Sequence, residues 1–450
     1  MLLLSGCSGT DTQISSSELP ETEAVVTTET EPDTTEYSIG GTIPVLSIET
    51  INQEADVLDF VEKTVSSPIA KSIASWTPGY KMPPAPYYEA CTITLTDADN
   101  TVLLNAADAK VKVRGNWTTT YDKKPLRIKF TETQNLLGLN DGEQMKNWVL
   151  LAEYKDTSML RNKTALSIAR ELLGEDGLYA ADAAFVEVEI NHQYWGVYLL
   201  TELQQINPDR VNITEPEKNY AGTDIGYFME FDGYFTNEDA LHQFHVDYAD
   251  NAPLVPFDGN GGSERTITPL SEGPQDLKKD VGMTIKSDIY TQEQHDFIAS
   301  YVNNVYRILY AAAYEDTAYQ FDSSYTEISA ADITAREAIE QVIDVNSLVD
   351  MYIISELTCD ADIYWSSFFM DVDFEPDGDR RLRFEAPWDF DSALGNKNRC
   401  ADGTGFYAAN IIPDVNDEYE TVNPWLAVLM YEDWFQDLIR EKWTNAYDSG

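Results

Sequence analysis

"VKVRGNWTTTYDKKPLRIKF", residues 111–130, holds two alternating apolar runs on either side of a polar turn. In the second run Leu126, Ile128 and Phe130 point one way while Arg127 and Lys129 point the other, the period-two pattern of a half-buried strand. Two cations therefore share one strand face. Downstream, "DTSMLRNKTALSIARELLG" has a cap candidate at Asp156 or Thr157, with Met159, Leu166, Ala169 and Leu173 at helical spacing. Gly174 marks its end. "FVEVEINHQYWGVYLLTE" then reads as two strands around a polar turn, the second closing at Thr201 and Glu202. The order is strand, helix, hairpin.

Residues 207–280 are rich in Asp, Asn, Gly and Pro and are expected to form a loop-rich insertion carrying one short strand, "GYFMEFD". Two helices follow, "TQEQHDFIASYVNNVYRILYAAAYE" and "DVNSLVDMYIISEL"; the second is a core helix leading directly into "TCDADIYW". "SFFMDVDFEPDGDRRLRFEAPWDFD" has the pattern of a hairpin turning at Pro376, Asp377 and Gly378. His242 and His245 form an H-x-x-H without the accompanying cysteines or glutamates of a zinc site, so they carry no metal assignment.

With 450 residues, 43% hydrophobic and 12% aromatic, the chain can bury a large core and exceeds one ordinary domain. Acidic residues outnumber basic ones 78 to 30, and the net charge of −48 excludes sequence-independent nucleic-acid binding, which needs clustered Lys and Arg. At the start, "MLLLSGC" resembles a bacterial lipobox ending at Cys7. The basic and fully apolar regions of a secretory leader do not precede it, so residues 1–7 are read as a truncated lipoprotein signal. Residues 8–40 are a Ser/Thr-rich acidic tether, since the first basic residue is Lys63. These features predict export and lipid anchoring through Cys7 to the outer face of the bacterial cytoplasmic membrane. Cys91, Cys359 and Cys400 are an odd set, in which a Cys359–Cys400 bridge is compatible with an oxidising compartment.

Charge is unevenly spread. Eleven of the 30 basic residues lie between Lys110 and Lys163, whereas residues 360–402 hold a run of aspartates that includes Asp360, Asp362, Asp389 and Asp391. A phosphoryl-transfer site needs that division, with cations on phosphate oxygens and carboxylates for Mg²⁺ and for the attacking hydroxyl's proton. Solvated strand faces produce it as well. The ordinary kinase and P-loop signatures are not in the sequence.

Four segments in order carry a resemblance: "VKVRGNWTTTYDKKPLRIKF", "NWVLLAEYKDTSMLRNKTALSIARELL", "VEVEINHQYWGVYLLTE" and "APWDFDSALGN". Together, over roughly residues 110–400, they resemble the CotH family, the spore-coat protein H type of atypical kinase. The resemblance implies an α+β, atypical protein-kinase-like fold with two lobes around a nucleotide cleft. Its organisation would be N-terminal strands and a leader at 41–109, then a kinase-like domain at 110–450 interrupted at 207–280. The ending "NAYDSG", just beyond a helix, leaves room for a further C-terminal part.

The implied activity is transfer of phosphate from ATP, with Mg²⁺ or Mn²⁺, to Ser or Thr of a protein partner. Asp389 and Asp391 would hold the metal, with Trp388, Phe390 and Gly395 shaping the turn that aims them. Asp362 would accept the acceptor's proton, with Asp360 the close competitor. Lys129 and Arg127 would meet the phosphates, with Arg127 or Lys129 facing Asp389 across the cleft; Arg114, Gly115 and Asn116 would cover them, and Glu202 would mark the route to the hinge. The family more usually has asparagine where this chain has Asp360 and Ser367. A second class of function stays open: a surface lipoprotein that uses the same fold as a binding or adhesion module, since ATP is scarce outside the cell.

Overall fold

The computed structural model describes residues 43–67, 71, 74, 77–259, 281–396, 406–410, 412–413 and 420–449. The lipobox cysteine, the acidic tether and Cys400 lie outside them. The alternating run at 126–130 is part of β4 (Leu126–Gln134), which pairs antiparallel with β3 (Val102–Val113) and with β5 (Met145–Leu151). The hairpin of β6 (Ala183–Ile190) and β7 (Gln193–Glu202) joins through β7 to β5. β1 (Val45–Thr50) and β2 (Glu89–Thr96) precede them. Each strand offers one apolar face, and among the described residues these faces roll into a closed barrel of order β1-β2-β3-β4-β5-β7-β6. The seam pairs β1 with β6 in parallel, Leu46 opposite Val188 and Ile48 opposite Ile190. Inside lie Ile48, Ile93, Val111, Ile128, Trp148 and Tyr198, all inaccessible to water.

The outer wall divides in two. On β5, β6 and β7, Val149, Leu151, Ala183 and Leu199 join a second core with α1 (Arg161–Gly174), which presents Ala165, Leu166, Ala169 and Leu173. On β3 and β4 the outward positions carry cations.

The second core continues into a five-stranded sheet of order β14-β13-β8-β10-β9, built from β8 (Gly226–Asp232), β9 (Gln243–Phe244), β10 (Gly282–Ile285), β13 (Phe368–Asp373) and β14 (Arg383–Phe384). A small ribbon of β11 (Tyr319–Phe321) and β12 (Glu327–Ser329) stands apart. Among the described residues four further helices of eight residues or more pack here: α2 (Gln292–Glu315), α3 (Ala335–Val342), α4 (Val345–Thr358) and α5 (Asp433–Ser449). Thr291 and Gln294 form a capping box for α2, and Asp344 caps α4 by accepting the Asn346 and Ser347 N–H groups. α4 is buried nearly all round, its polar Ser347, Asp350 and Ser355 as well as its apolar residues.

Two expectations need correction. The two-lobed, kinase-like arrangement around a cleft is not what the chain forms. The described residues make one compact unit, and the strands of the supposed leader are staves of a closed barrel rather than additions to an open lobe. The cause is the apolar alternation of β1 and β2: Leu46, Ile48, Cys91 and Ile93 need a core, and the barrel interior supplies it. Nor is the described part of 207–280 mere elaboration. Its "GYFMEFD" is a central strand of the second sheet, hydrogen-bonded to β13 on one side and β10 on the other.

Candidate active site

β14 leads into the stretch 385–391 through two left-handed residues, Ala386 at φ 60° and Asp389 at φ 67°. Such φ values in non-glycine residues persist only where the surroundings hold them. Here the Ala386 N–H donates to the Tyr179 carbonyl (2.9 Å), and the Phe390 N–H donates to Asn162 Oδ1 on α1 (2.8 Å). Trp388 and Phe390 are buried on either side of Asp389, which is itself exposed. The Asp389 carboxylate thus reaches water from a recess crowded with protein. The crowding raises it above the ordinary aspartate range, Asp391 and Asp362 add to the rise, and Lys155 and Arg114 oppose it.

Lys155, in the loop between β5 and α1, binds this turn directly. Its ammonium donates to Asp391 Oδ1 (3.1 Å) and to Ser392 Oγ (2.5 Å). Asn396 ties the two segments together by donating to the Asp391 carbonyl (2.6 Å) and the Lys155 carbonyl (3.4 Å). Burial would lower the Lys155 ammonium, but Asp391, Asp362 and Asp389 outweigh it and hold it above the usual lysine value. Lys155 had no role in the sequence reading.

Asp362 opens a short 3₁₀ turn after α4, and its N–H donates to Asp360 Oδ1 (3.0 Å). Asp360 is 2% exposed and acts as a local cap, whereas Asp362 is half-buried and interacts electrostatically with both Lys155 and Asp389. Ser367 is in the left-handed region, with its N–H on Glu230 Oε1 (2.9 Å); Glu230 in turn pairs with Lys286 (2.5 Å). That serine position is fixed by β8, a strand the sequence reading treated as peripheral.

Of the cations expected to meet phosphates, Arg114 is the one the structure brings to the aspartates. Its guanidinium lies 5.8 Å over the Trp388 ring; burial lowers its pKa, and Asp389 opposes that shift while Arg127 reinforces it. Gly115 holds φ at +104°, and a Cβ there would stand 2.0 Å from Thr118 Oγ1, so the tight turn after Arg114 requires glycine. Asn116 is exposed in that turn. Arg127 donates to Asn147 Oδ1 (2.9 Å), and Lys129 is exposed further along the barrel wall. Neither shows a contact with Asp389 among the described residues.

Glu202 is also elsewhere. Its side chain is 0% exposed, accepting from Arg210 Nε (3.0 Å) and the Asp182 N–H (2.9 Å), with Arg210 equally sealed. This is an internal ion pair with no access for a ligand.

One more carboxylate sits behind the site. Glu153 is 7% exposed, and both its oxygens accept from Asn162 Nδ2 (3.1 and 3.2 Å), the residue that also holds the Phe390 N–H. Burial pushes its carboxyl up to about 7; Asp391 and Asp156 add to this, while Asn162 and Lys123 oppose it. Burial brings Lys123 down to about 8. Because Glu153 binds a proton in the folded chain that it loses near its ordinary value when unfolded, its contribution to stability is full at low pH. That contribution is lost as pH rises toward 7. Glu153→Gln should therefore gain stability relative to wild type between pH 5 and pH 8, by up to about 3 kcal/mol. Thermal melts at the two pH values check this, and parallel losses in both proteins would refute it.

Among the described residues no three or more His, Cys, Asp or Glu side chains stand close enough to enclose a metal ion. The donor set of Asp389 and Asp391 nevertheless suits Mg²⁺, a hard cation that keeps waters and takes one or two carboxylates together with substrate phosphates. The like-charge crowding at Asp389 is what a dication relieves. A family model described as CotH kinase protein matches residues 111–449. Comparison with curated proteins finds no match.

Proposed function

Because the chain belongs to the CotH kinase protein family, we propose that it transfers the γ-phosphoryl group of ATP to a serine or threonine hydroxyl of a protein. Asp389 and Asp391 would hold Mg²⁺ or Mn²⁺, which when bound neutralises charge on the phosphates. Arg114 and Lys155 orient the nucleotide through its phosphate oxygens, Arg114 stacked on Trp388 and Lys155 anchored at Asp391. Asp362 accepts the hydroxyl proton as the acceptor oxygen bonds to the γ-phosphorus; the bond to the bridging oxygen breaks and ADP leaves. The single observation that supports this reading is the convergence of Lys155 and Arg114 on Asp362, Asp389 and Asp391, drawn from four separate parts of the chain.

The test is purified protein with labelled ATP, Mg²⁺ or Mn²⁺ and a Ser/Thr-rich polypeptide acceptor. Metal-dependent labelling of the acceptor is expected. No labelling, together with no metal-dependent thermal shift on adding ATP, would leave the binding or adhesion module as the better account.

The lipobox-like start supports a location to match. Cys7 would carry the lipid that holds the protein at the outer face of the membrane. Cys7→Ser in the full-length precursor should move the protein from the membrane to the soluble fraction, and unchanged fractionation would refute the anchor.

A further inference from the structure

The outward face of β3 and β4 carries five cations in register. Lys110 lies opposite Lys129, Lys112 opposite Arg127, and Arg114 continues the β3 row by one more step. The Lys110 and Lys112 ammonium groups stand 4.6 and 4.9 Å over the Tyr88 ring, which fixes both without neutralising either. None of the five pairs with a carboxylate of any described residue. Asp108, two residues back along β3, ends the row. In a chain with 78 acidic and 30 basic residues, five cations side by side, of which Arg114 alone is set beside the aspartate site, are out of proportion to their surroundings. Lys112 shows the consequence. Burial lowers its pKa, and Arg127 and Lys110 lower it further.

The row has a direction and a spacing. Lys110, Lys112 and Arg114 occupy alternate strand positions, so they recur at roughly 7 Å, the spacing of alternate side chains in an extended polypeptide. The barrel is closed at this wall, so a partner is recognised by side chains and not by adding a strand. At one end of the row Arg114 lies over Trp388, next to Asp389. With a Debye length of about 8 Å at physiological salt, a bound chain senses this local face more than the net charge of the whole molecule.

We propose that the β3–β4 wall docks an extended acidic polypeptide, with Asp, Glu or phosphorylated side chains at alternate positions, and delivers its continuation to the aspartate site. That the docked chain is the phosphate acceptor rests on the phosphotransfer reading; the docking does not. Charge complementarity selects the occupant's sign, and the period-two spacing selects an extended chain over a folded or planar anion.

The experiment uses the full chain and three labelled peptides of equal length, each with one serine: one with Glu at alternate positions, one with Lys there, and one uncharged. Binding is read by fluorescence polarisation without nucleotide. The Glu peptide should bind, weaken with added salt, and lose roughly tenfold or more in affinity to K110E/K112E. The milder K110A/K112A should lie between. Because Arg114, Lys155 and the aspartates are untouched, the thermal shift with Mg²⁺ and ATP should persist in both variants.

If docking persists but no phosphate is ever transferred, the phosphotransfer reading fails and the docking surface stands. The proposal is overturned if the Lys or uncharged peptide binds as tightly as the Glu peptide, or if the double variant binds the Glu peptide undiminished. It is likewise overturned if no peptide binds, or if anionic phospholipid vesicles bind in place of the Glu peptide.

Discussion

Asp389→Asn should abolish phosphoryl transfer while leaving the fold intact or slightly more stable. The two halves of that expectation have one origin. Asp389 is held in the left-handed region at φ 67°, a conformation that Asn tolerates better than any other non-glycine residue, so the backbone turn survives the change. Its carboxyl is pushed upward by crowded protein and by Asp391 and Asp362, so the ionised form is disfavoured at this position. A group with a raised folded-state pKa contributes its stability at low pH and loses it as pH rises through that value, and the neutral amide escapes the loss.

Activity moves in the opposite sense. Removing one fixed charge from a phosphoryl-transfer site costs on the order of 10³-fold or more, the scale on which a single charged group acts on such a reaction. Labelled-ATP transfer and thermal melts at pH 8 on the same preparation check both halves. A variant that melts lower and transfers normally would make Asp389 a structural turn residue.

Asp362→Asn should separate from it. The Asp362 N–H that Asp360 caps is backbone, so the local 3₁₀ turn is retained. The substitution removes the proton acceptor but neither the Lys155–Asp391 pair nor the Arg114–Trp388 stack. Nucleotide binding should then persist while turnover falls roughly 10²- to 10⁴-fold, the range for a general base. Equilibrium nucleotide binding and single-turnover transfer measure the two quantities separately. Loss of binding with the same factor as turnover would place Asp362 among the groups that hold nucleotide.

Local pattern was legible where periodicity settles the matter. The alternation at 126–130 correctly separates Leu126, Ile128 and Phe130 from Arg127 and Lys129, and the hairpins at 183–202 and 368–384 form where the polar turns fall. Closure of the barrel was not legible. Alternation says which face of a strand is buried, but not which distant strand completes the sheet, and the β1–β6 seam leaves no local mark.

The same limit explains the site. Asp362, Asp389 and Asp391 stood out because aspartates flank recognisable elements, whereas Lys155 and Glu153 lie in a non-periodic loop whose geometry depends on α1. Glu202 was misplaced for a related reason. Its partner Arg210 comes from a segment whose loop-like composition conceals a buried contact.

The parallel seam also sets an order of events for the chain. Ser47 on β1 donates to Glu189 on β6 across a separation of 142 residues (3.0 Å), and the Thr50 N–H reaches Asn191 Oδ1 beside it (2.9 Å). During synthesis the first stave emerges long before its neighbour exists and must remain unpaired on that edge until the β6–β7 hairpin is complete. Closing so long a loop carries a large entropic cost that local hairpins avoid, so the β2–β5 meander assembles early and the seam late. While it waits, the β1 edge presents open backbone donors and acceptors to any other nascent chain, and an exposed edge of that kind invites aggregation or swapping between copies. The joint that completes the barrel is thus also where its biogenesis is most vulnerable.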